Sequence, residues 1–83
     1  MKTLIYTHQA AKQLGALPAD AKAAVVDALC RYAVDGEGDV KKLSGRDGYR
    51  MRVGRFRVIF AEDQTTILAV YIGKRETTTY RRQ

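Results

Sequence analysis

One run constrains the fold more than any other: Tyr49-Arg50-Met51-Arg52-Val53-Gly54-Arg55-Phe56-Arg57-Val58-Ile59-Phe60. Apolar and basic residues alternate on both sides of a single glycine, and alternation is the period of a half-buried β-strand. With Gly54-Arg55 as a two-residue hairpin turn, glycine first as a type II′ turn prefers, the register follows. Val53 faces Phe56, Met51 faces Val58 and Tyr49 faces Phe60, all on one side of the ribbon. On the other side Arg52 stands opposite Arg57, with Arg50 next along. Like charges so opposed destabilise a sheet. A surface that needed only solubility would mix its signs, so the pattern points to an anion on that face. Phosphate matches the fork of donors on a guanidinium.

The 83 residues make one domain, 1–83, large enough for a single two-layer core. An apolar share of 46% and a charged share of 29% belong to a folded globular chain and exclude a disordered one. No apolar run approaches the roughly 18 residues that span a bilayer, so no membrane partner is expected. The start, Met1-Lys-Thr-Leu-Ile-Tyr-Thr7, lacks the apolar stretch of a signal peptide. Cys30 is the single cysteine, which rules out an internal disulfide. The expected compartment is therefore the cytoplasm.

The net charge of +6 is unevenly placed. Residues 1–40 carry four Lys/Arg against five Asp/Glu, whereas residues 41–83 carry eleven against four. A nearly neutral first half and a strongly basic second half suggest a scaffold presenting a surface to a polyanion.

Along the chain, residues 2–7 read as a first strand. Thr7 suits the cap of a short helix over about 8–14, ended by Gly15. Pro18 and Asp20 suit the start of a longer helix running to about Val34. Ala21, Val25, Ala28, Leu29 and Tyr32 form its buried stripe, and Cys30 is expected to be a packing residue. Residues 36–39 read as a linker, and Lys41-Lys42-Leu43-Ser44-Gly45 leads into the sheet. Strands follow at about 47–53, 56–62 and 66–74. In the last, Leu68, Val70 and Ile72 should share one face, and Ile67, Ala69, Tyr71, Gly73 and Arg75 the other. The order β-α-α-β-β-β predicts an α+β fold: a mostly antiparallel sheet with two helices packed on one face. No metal-ligand cluster, nucleotide loop or Ser/His/Asp arrangement is present in the sequence, and no cofactor is expected.

This order, with Leu43-Ser-Gly45, Tyr49-Arg-Met-Arg-Val-Gly54, Phe56-Arg-Val-Ile-Phe60 and Ile72-Gly-Lys-Arg-Glu76, resembles the RelE/ParE superfamily of toxins from type II toxin–antitoxin pairs. The resemblance spans essentially the whole chain and implies a RelE-like fold. It also implies one of two activities. The RelE branch cleaves mRNA in the ribosomal A site without a metal; the ParE branch poisons DNA gyrase by protein–protein binding. The RelE-like ribonucleases carry basic residues at two alternating positions of one strand and an arginine on the next. Another arginine follows the last strand, and a tyrosine lies near the C-terminus. Arg50, Arg52, Arg57, Arg75 and Tyr80 match those places. The full set favours an mRNA endoribonuclease, with gyrase inhibition, or a non-catalytic basic RNA-binding relative, as the alternative. One departure is chemical. RelE itself carries lysines where this chain has Arg50 and Arg52, and an arginine does not lose its proton to act as a base.

On this resemblance Arg52 and Arg57 would clamp the phosphate at the cut, Arg50 would hold the backbone and Arg75 would lie near the leaving oxygen. Tyr80 would act either as a base, its phenolate favoured by nearby cations, or as a stacking platform for the base at the cut. Arg55, Lys41 and Lys42 complete the expected RNA-binding set. The expected partners are mRNA on the ribosome and a cognate antitoxin, whose own DNA-binding part would make any DNA contact.

Overall fold

In the computed structural model, which describes residues 1–74, the chain forms seven elements in sequence. They are β1 (Thr3–Tyr6), α1 (His8–Gly15), α2 (Ala19–Asp35), β2 (Val40–Lys42), β3 (Tyr49–Val53), β4 (Phe56–Glu62) and β5 (Thr66–Lys74). The strands make one sheet in the order β1-β5-β4-β3-β2. Only the β1–β5 pair is parallel; the other three pairs are antiparallel. The fold is α+β, as the sequence predicts, with one addition. Lys41 and Lys42, expected to be lead-in chain, pair with β3 as part of a short edge strand, Val40–Lys42.

The β3–β4 register is the one the alternation dictates: Val53 with Phe56, Met51 with Val58, Tyr49 with Phe60, and Arg52 with Arg57. Gly54 takes a φ of 57°, the left-handed region that the first position of such a turn demands. Met51, Val58 and Phe60 are at most 1% exposed and, with residues of β5, form the sheet's half of the core. The helices' half comes from Ala10 of α1 and Val25, Leu29 and Ala33 of α2, which recur at helical spacing. The Phe60 ring meets Tyr32 edge-on at 5.5 Å and stacks on Tyr49 at 5.6 Å.

Caps and turns follow local chemistry. Thr7 caps α1, its hydroxyl accepting from the Ala10 N–H at 3.1 Å. Gly36 closes α2 in the left-handed conformation. Asp63 shapes the β4–β5 turn by accepting from the backbone N–H groups of Thr65 and Thr66, which hold its carboxyl below the usual range. Between the layers, Glu62 accepts from Lys2 Nζ and from Tyr32 Oη, the latter at 2.8 Å, joining β4 to the start of β1 and to α2. Burial, helped by this carboxylate, pushes the Tyr32 hydroxyl up to about 12.

Two expectations need correction. The register of β5 against β4 shifts between Ile59 and Phe60: Ile59 pairs with Tyr71, but Phe60 pairs with Ala69, so Val70 is an extra residue. A bulge of this kind reverses the alternation. Ile67, Ala69 and Ile72 are therefore the buried residues of β5, and the side-chain parity predicted for the strand as a whole holds only beyond the bulge. The Ile72 N–H beside the break donates to Gln13 Oε1 of α1 at 2.8 Å. Cys30, expected to pack, is exposed. The buried stripe runs Val25, Leu29, Ala33 in steps of four, and Cys30 lies one position past it on the solvent side.

Candidate functional site

The helices cover one face of the sheet, and among the described residues the other face is open. On that open face the ladders line up into rows. One row runs Lys41, Arg50, Ile59, Tyr71; the next runs Arg52, Arg57, Gly73. Short antiparallel strands with a fixed turn thus bring cations from three strands onto one surface. Arg50, Arg52 and Arg57 are half-buried, and the Nε atom of each is shut away from solvent without a hydrogen-bond partner. Among the described residues, neither Arg50 nor Arg57 has an ion pair or a side-chain hydrogen bond, so their terminal amino groups stay open to solvent. Arg52 differs: its Nε lies 3.7 Å from a carboxylate oxygen of Asp39. The two side chains are 38% and 57% exposed, so the pair is screened and weak.

Beside this row lies a cavity of about 640 Å³, the size of a small-ligand site. Arg50 and Arg57 line it, joined by Arg46 and Asp47 from the loop before β3. Its apolar walls are Leu43, Ile59 and Val70, and Tyr71 completes it. The Arg57 guanidinium carbon stands 6.0 Å from the Tyr71 ring centroid, at the outer limit of a cation–π contact. Clustered cations with a half-apolar floor can hold a phosphate and the organic group attached to it.

Of the residues singled out from sequence, Arg50, Arg52, Arg57 and Lys41 share the open face. Arg55 is exposed at the tip of the β3–β4 hairpin. Lys42 pairs with Tyr49, which faces the core side, so it stands on the opposite surface from Lys41. Arg75 and Tyr80 lie outside the described residues. Sequence reasoning missed Arg46, Asp47 and Tyr71. Tyr71 carried a signal, since it shares its parity with Gly73 next to the arginine rows; the loop residues carried none. Among the described residues, no group of three or more His, Cys, Asp or Glu side chains is placed to hold a metal ion, and no helix is long and apolar enough to cross a membrane.

No protein-family model matches the sequence, and no curated relative does. Solved structures do. The chain is similar to a structure of the toxin–antitoxin complex RelBE2 from Mycobacterium tuberculosis, with a TM-score of 0.76 and 26% identity over 89% of this chain and 98% of the other. It is similar to the archaeal RelE–RelB complex from Pyrococcus horikoshii, with a TM-score of 0.78 and 23% identity over 93% and 98% of the two chains. It also resembles the YoeB dimer of Staphylococcus aureus, with a TM-score of 0.72 and 18% identity over 90% and 97%.

Proposed function

The chain is a RelE-like protein, and from that premise we propose that it is the toxin of a type II toxin–antitoxin pair, cutting mRNA on the ribosome. The carrying observation is the convergence of Arg50 and Arg57, neither neutralised by a described carboxylate, on one open surface with Arg52 opposite Arg57. In the reaction the ribose 2′-oxygen attacks the adjacent phosphorus and the bond to the 5′-oxygen breaks. A 2′,3′-cyclic phosphate and a 5′-hydroxyl result. The proton leaves the 2′-hydroxyl and one is gained by the departing 5′-oxygen.

Fixed cations aimed at the crowded dianionic phosphorane stabilise it more than the ground state, which is commonly the largest catalytic contribution. Arg57 and Arg50 grip the phosphate. Arg52, shared with Asp39, contributes less than its register alone suggests. Arginines supply charge and not a base, so the 2′-proton goes to another group. Tyr80 is the titratable residue among the matched positions and takes the proton or stacks on the base; Arg75 steadies the leaving oxygen. The ribosome holds the strand in a cleavable shape, so free RNA is a poor substrate. The chain acts in the cytoplasm without a metal. Its antitoxin lays an acidic, amphipathic segment, folding as it binds, over the basic surface.

Brief induction of this chain alone, followed by mapping of transcript ends, tests the proposal. Cuts inside translated frames at a constant phase within codons are expected, and Arg57→Ala abolishes them. Intact transcripts with a DNA-damage response would overturn the ribonuclease assignment in favour of gyrase poisoning.

A further inference from the structure

Phosphate alone has no use for an aromatic floor, yet the cavity beside Arg50 and Arg57 has one. Gly73 explains how the ring comes to lie there. Residues 71 and 73 share a face of β5, and the place a Cβ of Gly73 would occupy is filled by the phenol end of Tyr71, its Oη, Cζ and Cε2. The ring therefore lies along the strand instead of standing off it, and any side chain at 73 would lift it. The Val70 bulge sets the rest of the geometry. It puts Tyr71 opposite Ile59 and brings Val70 to the same cavity wall, so the ring sits between apolar side chains and the cations. At 6.0 Å the Arg57 guanidinium is farther from the ring centroid than a closed stack would place it. Asp47 at the rim is a pure acceptor when ionised. It discourages a second phosphate and suits a ligand bearing N–H groups.

We propose that this cavity is a nucleobase subsite, in which the base next to the phosphate gripped by Arg50 and Arg57 stacks on Tyr71 as it lies over Gly73. The subsite rests on the ribonucleotide assignment above and is separate from the platform role open to Tyr80. Gly73 acts through Tyr71 and is a positioning residue.

Calorimetric titration of the full chain with guanosine and adenosine 3′-monophosphates, set against ribose 5-phosphate, tests it. The nucleotides should bind about tenfold more tightly than the sugar phosphate, the size of one base–aromatic stack. Tyr71→Phe keeps that ratio. Tyr71→Ala removes it, so that nucleotides and sugar phosphate bind alike. Gly73→Ala, with its fold checked by circular dichroism, reduces the ratio, and Gly73→Ala combined with Tyr71→Ala reduces it no further than Tyr71→Ala alone. Arg57→Ala weakens all three ligands alike. Equal affinities in the unmodified chain, or a ratio that survives Tyr71→Ala, would overturn the subsite and leave the phosphate grip standing. Failure of all three ligands to bind would overturn the grip itself, and the subsite with it.

Discussion

On the helix-covered side of β3 and β4, Met51, Val58 and Phe60 are sealed from water; on the other side of the same strands, Arg50, Arg52 and Arg57 stay half-exposed. The first surface is closed by shape: apolar pairs across the strands, and Tyr32 and Tyr49 around Phe60. The second is held open by charge, with Arg52 opposite Arg57 and, among the described residues, a single weak carboxylate partner for the former. The stability of one surface carries the electrostatic cost of the other. That division says where mutations should damage folding and where they should damage activity.

The largest expected effect breaks the covered side. Phe60→Ala should lower stability by about 3–5 kcal/mol, read as a fall in the urea midpoint. The open side should answer in the opposite way. Arg57→Ala should lower cleavage by about a hundredfold or more while moving the urea midpoint little, because relief of the opposition to Arg52 offsets lost packing. A large loss of stability with unchanged cleavage would erase the distinction between the two faces.

A smaller effect is expected where the faces meet. Gln13→Ala leaves the Ile72 N–H without its partner at the bulge, a cost of about 1–3 kcal/mol. It should also loosen the segment that aims Tyr71, so denaturant midpoint and nucleotide affinity should fall together.

The smallest effect is a pH dependence. Tyr32 titrates at about 12 in the fold against 10.0 for the ordinary group. Its folded value is the raised one, so the stability tied to its protonated form is complete below pH 10 and is lost as pH climbs through about 12. Tyr6 is raised by burial too and adds a loss in the same direction. The informative quantity is thus the difference between the unmodified chain and Tyr32→Phe, whose stability should fall less over that interval.

The covered face of β3 and β4 was almost fully legible in the sequence, because alternation and the Gly-Arg turn leave one register that puts Tyr49, Met51 and Val53 with their partners on the helix side. The arginine rows came with it. Three things were not legible. Val40–Lys42 becomes a strand only by pairing with β3, which no local pattern encodes. The Val70 bulge is a compromise between β4 and the β1–α1 junction, where Ala69 accepts from the Thr7 N–H, so β5 read alone gave the wrong burial for Ile67 and Ala69. The cavity needed Arg46 and Asp47 to fold back from a loop, and loops keep no period from which a direction can be read.

The parallel pairing of β1 with β5 joins Thr3–Tyr6 to Thr66–Ala69, the first described strand to the last. Closing so long a loop costs chain entropy before any ladder bond repays it, so this pairing forms late in folding and β1 waits on β5 for its partner.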